Sequence, residues 1–367
     1  MRSQPLHRLL AGVIGVAFLS SIPDATQHVE AQSPDSAPQF DVDPSWPKPL
    51  PNNWAVGPVS GIAVDRRDHI WIIHRGELLK QDGKTPAPPV IEFDQTGAVV
   101  QSWGGPGTGY DWPQQVHGIT VDGNDRIWIS GNGDRDAHIL AFTRAGKFLL
   151  QIGRAGKSGG SNDTSNMARP TQMRIDLDRN EVYVSDGEMN QHHRVIVFDA
   201  NTGTYKRHWG AYGAKPDDAA AIAAEKGGGS PSKHFGSAVH CVRIDRDNFV
   251  YVCDRSNGRF QIFHPDGRFV REIFVAKGEP RPAAVADLDF SPDQRFVYIG
   301  DSGNQKMWIL RRPGFQVVGS FGASGPAPGQ FATTLHDIAV DSRGNIYTGE
   351  AAAAGRVQKW VKRENRK

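Results

Sequence analysis

Two short alternating strands, joined by a polar turn, recur six times along the chain. Alternation of apolar and polar positions around a turn rich in Asp, Asn and Gly is the pattern of a half-buried β-hairpin. The copies are "SGIAVDRRDHIWIIHR" (60–75), "HGITVDGNDRIWISGN" (117–132), "QMRIDLDRNEVYVSDG" (172–187), "HCVRIDRDNFVYVCDR" (240–255), "DLDFSPDQRFVYIGDS" (287–302) and "HDIAVDSRGNIYTGEA" (336–351). An aromatic residue falls at the same place in each copy: Trp71, Trp128, Tyr183, Tyr251, Tyr298 and Tyr347.

Most copies are followed by a further strand pair, as in "RVIVFDANTGTYKRHWG". Four strands per repeat and six repeats predict an all-β fold, a six-bladed β-propeller, over residues 55–367. One blade cannot bury both of its faces, but blades packed around an axis do so and leave only short edges exposed. Residues 32–54 are predicted to be an irregular lead-in, in which "FDVDPSWPKP" is a candidate ring-closing strand for the last blade.

The composition agrees with many short strands. Among 367 residues, 41 Gly and 24 Pro supply turns, and long helical patterns are scarce. The formal net charge of +2 gives no reason to propose a nucleic-acid partner.

Residues 1–31 have the pattern of a signal peptide. Arg2 and Arg8 precede the apolar run "LLAGVIGVAFLSSI", and Ala31 in "VEA" offers a small residue at a cleavage site. The apolar run is short for a membrane span, and an uncleaved anchor is the alternative interpretation. We expect an exported protein, secreted or periplasmic, with no membrane attachment after cleavage.

The two cysteines, Cys241 and Cys253, fall in one predicted hairpin. Export permits a disulfide, but strand alternation does not clearly place both side chains on the same face, so free thiols are equally compatible with the sequence. Two cysteines are too few to hold a fold of this size together, so the core must do so.

Three insertions interrupt the repeats: "GELLKQDGKTPAPP", "GRAGKSGGSNDTSNMARP" and "AYGAKPDDAAAIAAEKGGGSPSKHFG". Long loops on a rigid scaffold often form lids or specificity walls. The stretch "GRAGKS" in the second insertion is not a phosphate-binding loop, because Gln151 stands where that motif needs its first glycine.

Three histidines share one register of the repeat. The residue eleven positions before the repeated aromatic is, in blade order, Ser60, His117, Gln172, His240, Asp287 and His336. First strands line a propeller's channel, so the three histidines are predicted to converge on the axis from alternate blades. Zn²⁺ accepts three histidine nitrogens and keeps a position open for chemistry, so we predict a zinc site. His192 and His193 have no register partner and are predicted to lie at the surface.

Further polar residues flank the predicted metal site. Arg75 and Arg255 come four residues after the aromatic in blades one and four. Two guanidinium groups at the rim of a metal site would clamp a carboxylate, while surface salt bridges are the alternative. Asp337 follows His336 directly and is a candidate ligand for a second, hard cation; the alternative is a hydrogen bond at the strand end.

With these residues the sequence resembles the lyase domain of peptidylglycine α-amidating enzymes, within the wider group of NHL-repeat propellers. The matching stretches include "VSGIAVDRRDHIWIIHRGE", "VHGITVD", "VYVSDG", "VYVCDRSNGRFQIF" and "LHDIAVDSRGNIYTGE". The resemblance implies that His117, His240 and His336 are zinc ligands and that Arg75 and Arg255 are active-site arginines. It also implies a structural calcium ion held by the side chain of Asp337 and the backbone carbonyls of Ile62 and Ile119.

The family converts a peptidyl α-hydroxyglycine into a peptide amide and glyoxylate. The resemblance therefore implies a lyase whose partner is a small molecule or the C-terminus of a peptide, and we expect a monomer. In the chemistry expected for it, zinc lowers the pKa of the substrate hydroxyl, a base removes the proton and an arginine holds the substrate carboxylate.

Two positions depart from the family pattern. Glu188 stands where the family has a tyrosine thought to be the base, and Thr334 stands where it has a methionine. Glu188 is a candidate replacement base; a solvated loop glutamate is the alternative. The changed pocket leaves two other functions open: a metal-dependent hydrolase of lactones, esters or amides, and a non-catalytic NHL-type binding propeller.

Overall fold

The computed structural model describes Met1 and residues 36–189, 191–226, 232–276, 283–352 and 355–364. The predicted signal peptide, 1–31, lies outside these ranges except for Met1. The stretch from Ser36 to Arg363 forms one compact unit. No helix in the described part of the chain has the length and apolarity needed to cross a membrane.

Six four-stranded sheets are arranged as the blades of a propeller, which confirms the predicted all-β fold. Two short strands, β2 (Trp54–Ala55) and β5 (Thr85–Pro86), pair in parallel outside the blades. Blades one and two contain β3 (Val59–Val64), β4 (Ile70–His74), β6 (Val90–Phe93), β7 (Val99–Trp103), β8 (Val116–Val121), β9 (Ile127–Gly131), β10 (His138–Phe142) and β11 (Phe148–Gly153). Blades three and four contain β12 (Pro170–Asp176), β13 (Glu181–Asp186), β14 (Arg194–Asp199), β15 (Tyr205–Trp209), β16 (Val239–Ile244), β17 (Val250–Asp254), β18 (Arg259–Phe263) and β19 (Phe269–Phe274). Blades five and six contain β20 (Val285–Phe290), β21 (Phe296–Asp301), β22 (Lys306–Arg311), β23 (Gln316–Phe321), β24 (Leu335–Val340), β25 (Ile346–Glu350), β26 (Arg356–Lys362) and β1 (Phe40–Asp43).

The inner strands of neighbouring blades contact one another around a closed ring, from β3 through β8, β12, β16, β20 and β24 back to β3. The α-helix α1 (Asp218–Lys226) lies in the third insertion, and short 3₁₀ turns occupy Gly76–Leu78 and Ala211–Gly213. The last blade takes strands from both ends of the described chain, because β1 pairs with β26 in antiparallel register, Phe40 opposite Lys362 and Val42 opposite Trp360. The stretch "FDVDPSWPKP" thus supplies the closing strand.

The repeated aromatic residue explains why the blades pack. Each of the six is almost fully buried and belongs to an apolar cluster shared with the following blade. Trp71, for example, packs with Ile127 and Leu140 of blade two. Its indole N–H donates to Asp65 in the turn of its own hairpin at 3.1 Å. In blade one the aromatic residue thereby fills the blade interface and fixes the hairpin turn.

The pairing of the inner hairpins corrects one sequence prediction. The residues that face the repeated aromatic across the hairpin are Ala63, Thr120, Arg174, Arg243, Asp289 and Ala339. Counting three residues back from these gives the histidines in blades two, four and six. In blades three and five it gives Thr171 and Ala286, so the assignment of Gln172 and Asp287 to that register is wrong by one position.

The register in blades three and five shifts by one position because their hairpin turns are longer. In blade three Ile175 pairs with Val182, whereas in blade two Val121 pairs with Ile127, one residue closer in sequence. Blade five has the longer turn as well. A fixed count from the aromatic therefore misses the register wherever the turn gains a residue.

Cys241 and Cys253 lie directly opposite each other in the hairpin of β16 and β17 and form a disulfide. The sequence left this pairing open. Directly opposed residues of an antiparallel pair have their side chains on the same face, which brings the two sulfur atoms together.

Removing the closing strand is predicted to destabilise the ring. A protein that begins at Pro44 lacks β1, so it exposes the edge of β26 and loses the packing of Phe40 on Phe321 and Tyr298. We expect its free energy of unfolding to fall by about 3 kcal/mol, the combined scale of the partly buried side chains of Phe40 and Val42. Urea unfolding measures this, with a protein that begins at Ser36 as the control. Equal stability of the two proteins would contradict the assigned role of β1.

Candidate metal centre

Three imidazole rings meet on the propeller axis. His117, His240 and His336 lie at the β-bulges of β8, β16 and β24, and all three are buried. Their ring centroids are 4.7 to 5.0 Å apart. One nitrogen from each ring lies within 4.8 Å of the other two, so the three form a group that could hold a metal ion.

A backbone carbonyl of the next blade fixes the orientation of each ring. The Nδ1 atoms face carbonyl oxygens at the same register position one blade further on: His117 faces Thr171 at 3.0 Å, His240 faces Ala286 at 2.5 Å and His336 faces Ser60 at 3.0 Å. A carbonyl can only accept, so the proton resides on Nδ1 and the lone pair on Nε2. This is the tautomer that metal-binding histidines adopt when the second nitrogen is anchored.

The inward-facing nitrogens are available to a metal. Nε2 of His117 and Nε2 of His240 are buried and make no hydrogen bond within the described residues. Burial, followed by unfavourable interactions with a neighbouring imidazole and with Arg255, holds the pKa of each histidine well below its usual value. Three neutral imidazoles fit a divalent transition metal, and three nitrogen donors with an open position suit Zn²⁺.

Glu188 reaches the metal centre from the loop after β13. Its carboxylate is buried, and Oε2 lies 3.5 Å from Nε2 of His117. Asn132 donates to Oε2 at 2.5 Å, and Arg255 donates to Oε1 at 3.0 Å. Burial alone would raise the pKa of Glu188, but His240, Arg255 and the hydrogen bond from Asn132 outweigh it and lower that pKa. The residue is therefore an ionised acceptor beside the metal site and not a solvated loop glutamate.

The two predicted arginines have different environments. Arg75 is buried and donates from Nε to the carbonyl of Val116 and from Nη2 to Asn132, both at 3.0 Å. Arg255 pairs with Glu188, and a quarter of its side chain remains exposed. Arg75 thus has a structural role, since its hydrogen bonds hold Val116 and Asn132 in place, while Arg255 faces both Glu188 and the solvent.

Asn132 is a site residue that the sequence analysis missed. It links Arg75 to Glu188 through its side-chain amide. The signal was present, because Asn132 comes four residues after Trp128, as Arg75 and Arg255 come four residues after their own aromatics. The three residues occupy one register in blades one, two and four.

The residues predicted to hold calcium lie one layer below the histidines. One oxygen of Asp337 accepts from Nε2 of Gln172 at 2.8 Å, and the other accepts from the N–H of Ile62 at 3.2 Å. Ile62 and Ile119 line a cavity of about 110 Å³ in the channel. Thr334, which departs from the family pattern, is exposed, and its carbonyl accepts from the N–H of Ala351.

The prediction that His192 and His193 lie at the surface is wrong, since both are buried. Nδ1 of His192 contacts Asp186 at 3.0 Å and Nε2 contacts the hydroxyl of Ser158 at 2.8 Å. His193 contacts Asp218 at 3.1 Å. The repeat register contains no signal for these contacts, because Ser158 and Asp218 lie in the second and third insertions.

The order serine, histidine, aspartate in this chain of hydrogen bonds is also that of serine hydrolases. Here, however, Arg194 donates to the same oxygen of Asp186 at 2.8 Å. Blade four repeats this buried ion pair with Asp254 and Arg259, at 2.7 Å. The Asp186–Arg194 ion pair is thus a structural feature of the blade, and the imidazole of His192 links the loop of Ser158 to this pair.

Comparison with known proteins agrees with this architecture. The chain is 27% identical over 336 residues to peptidyl-glycine alpha-amidating monooxygenase B of Xenopus laevis, a match that covers 85% of this chain and 34% of that protein. It is 24% identical to NHL repeat-containing protein 3 of Mus musculus, over 88% of this chain and 84% of that protein. It is 25% identical to a probable peptidyl-alpha-hydroxyglycine alpha-amidating lyase of Caenorhabditis elegans, over 57% of this chain and 56% of that protein. The chain spans about a third of the length of the amidating monooxygenases that it matches.

Solved structures show the same fold at low identity. A streptogramin B lyase superposes with a TM-score of 0.54 at 10% identity, covering 89% of this chain and 98% of that chain. No protein-family model matches the sequence. The chain therefore resembles the peptidylglycine α-amidating proteins and the NHL-repeat proteins, and its fold is a β-propeller.

Removing one histidine is predicted to abolish metal binding. We expect the protein, loaded with zinc and then desalted, to retain about one ion per chain, and His240→Ala to retain none, because two imidazoles do not hold zinc tightly. Elemental analysis measures the ratio. His192→Ala, which removes a buried histidine outside the centre, is the matched control and is expected to keep its zinc. Background zinc in the unsubstituted protein would refute the site.

Proposed function

We propose that this protein is an exported, zinc-dependent lyase that converts a peptidyl α-hydroxyglycine, or a related α-hydroxy amide, into an amide and glyoxylate. One observation carries the proposal: three neutral imidazoles, each anchored through Nδ1, converge beside a buried, ionised carboxylate. Its relatives include proteins named for peptide α-amidation, which supports the same class of reaction.

The metal would be held by Nε2 of His117, His240 and His336. When bound there, Zn²⁺ supplies Lewis acidity that lowers the pKa of a hydroxyl group. The carbonyls that anchor the three Nδ1 atoms keep the rings in position, so no side chain has to reorient.

Glu188 is proposed to accept the proton of the substrate hydroxyl. Asn132 and Arg255 hold its carboxylate from two sides, so the acceptor oxygen stays beside the metal site. As the proton leaves, the oxygen's electrons form the carbonyl group of glyoxylate and the bond from carbon to the amide nitrogen breaks. The nitrogen then takes up a proton and departs as the amide, and Glu188, protonated in the first step, can return that proton.

Arg255 is proposed to bind the carboxylate of the substrate. Its guanidinium group is partly exposed and donates to Glu188, so the exposed part faces the solvent from which a substrate would enter. A bidentate pair with a carboxylate would fix the position of the hydroxyl group relative to the metal. Arg75 acts one step away, by holding the amide of Asn132.

The remaining features of the proposal follow from the sequence. The N-terminal pattern of residues 1–31 supports export to the periplasm or medium, and the near balance of charge supports a small-molecule or peptide substrate rather than nucleic acid. We propose that the protein acts as a monomer, since one propeller supplies the three histidines, Glu188 and Arg255 that make up the site.

The reaction can be tested with an N-acyl-α-hydroxyglycine. The zinc-loaded protein is expected to release glyoxylate and the intact carboxamide in equal amounts, as measured by liquid chromatography and mass spectrometry. A metal-dependent hydrolase would instead release the carboxylic acid and α-hydroxyglycine, which breaks down to ammonia and glyoxylate. Acid in place of amide would therefore overturn the lyase proposal in favour of hydrolysis, and the absence of any turnover would favour a binding propeller.

Glu188→Gln is predicted to lower kcat by about 10²-fold or more, because a carboxamide cannot accept the proton. Zinc content and melting temperature are expected to stay unchanged, since the substituted side chain keeps its size. Glu225→Gln, at an exposed position of α1, is the control and should retain full activity. A kcat for Glu188→Gln equal to that of the control would exclude Glu188 as the base.

A further inference from the structure

A layer of acidic and amide side chains crosses the channel below the three histidines. It is formed by the residue that follows the histidine register on each inner strand. In blades one, two and four these residues are Gly61, Gly118 and Cys241, which leave the centre free. In blades three, five and six they are Gln172, Asp287 and Asp337.

Two carboxyl groups in this layer lie close together, away from solvent. Asp287 and Asp337 are 0% and 1% exposed. A buried pair of acids needs a cation, and the calcium ion implied by the family resemblance would be placed at Asp337.

In this chain the side chain of Arg243 already supplies a positive charge beside the two acids. Arg243, two residues further along β16 than Cys241, extends its guanidinium group into the layer. It donates to Oδ2 of Asp287 at 2.7 Å, bonds to the side-chain oxygen of Gln172 and lies 3.6 Å from Oδ1 of Asp337. Burial alone would lower the pKa of Arg243, but the surrounding aspartates outweigh it and raise that pKa, so the group is a permanent cation.

The remaining lone pairs of Asp337 are also used. Besides Gln172 and Ile62, the N–H of Ile338 donates to its carboxylate at 2.9 Å. Ca²⁺ takes six to eight oxygen ligands, so it would have to displace these donors, and N–H groups cannot replace oxygen ligands. A calcium ion would also meet the positive charge of Arg243 at close range.

A second arginine strengthens this exclusion. Arg174 lies at the same register as Arg243, one blade earlier, and both line the 110 Å³ cavity that also borders Ile62 and Ile119. Burial, and then the positive charge of Arg243, lowers the pKa of Arg174, so the two guanidinium groups repel each other. That cavity therefore carries two guanidinium groups next to one carboxylate, that of Asp289.

We propose that the guanidinium group of Arg243 replaces the structural calcium ion, so that the fold is independent of calcium. The arrangement is built from one residue on blade four that reaches acids on blades five and six. It ties three blades together without an ion and does not depend on the reaction proposed above.

Calcium binding and thermal stability test this directly. The protein in calcium-free buffer is expected to bind no ⁴⁵Ca²⁺ at about 5 mM, above the dissociation constants of extracellular calcium modules, and its Tm should not change. Arg243→Ala leaves the acids unpaired, so we expect a lower Tm that calcium, but not magnesium, raises again with about one ion bound per chain.

Two further variants keep the test decisive. Arg174→Ala removes the other channel arginine but leaves the acids paired, and it should respond to calcium as little as the unsubstituted protein. Arg243→Lys keeps a positive charge and should remain independent of calcium even if Arg243→Ala does not fold. Binding of one calcium ion by the unsubstituted protein, or a rise of its Tm in calcium, would overturn the proposal. Zinc measured in the same samples reports on the histidine site separately, so its loss would count against the lyase and not against Arg243.

Discussion

The β-bulge at the start of the inner strands is the constraint on which both the ring and its centre depend. It places a side chain from alternate blades on the axis. It also places the carbonyls of Ser60, Thr171 and Ala286 where the preceding blade's imidazole can reach them. The same three contacts therefore join neighbouring blades and select the tautomer of each histidine. The hydrogen bonds that join neighbouring blades thus also orient the three metal-binding imidazoles, so a shift of the blades would also shift the imidazoles.

The polar groups around the metal centre are distributed in the same way. Arg75, Asn132, Glu188 and Arg255 come from blades one to four and form one connected network. Each of these four blades contributes one residue of the network, so no single blade forms the site on its own. Its geometry is set by the spacing of blades, which the buried aromatics fix at each interface.

The sequence was sufficient for the fold and for much of the candidate site, because both follow from the repeat. The aromatic spacing predicts six blades, and the shared register brings His117, His240 and His336 together. Where the repeat varies, prediction failed: one extra turn residue displaced the assignment of Gln172 and Asp287. Contacts made by insertions carry no repeat signal, so the burial of His192 and His193 was missed. The burial of Glu188 and the reach of Arg243 across blades depend on side-chain packing, which a register count does not contain.

The closing strand has a consequence for the order of folding. β1 is made at the start of the described chain and β26 at its end, so the last blade must wait for the whole chain. His336 belongs to that blade, whereas His117 and His240 belong to blades two and four. The three-nitrogen set is thus incomplete until the last blade has formed, and the pairing of β1 with β26, which joins residues far apart in sequence, is expected to be a late event. Tight metal binding would then require the completely folded propeller, because a protein whose last blade is unfolded presents at most two of the three ligands.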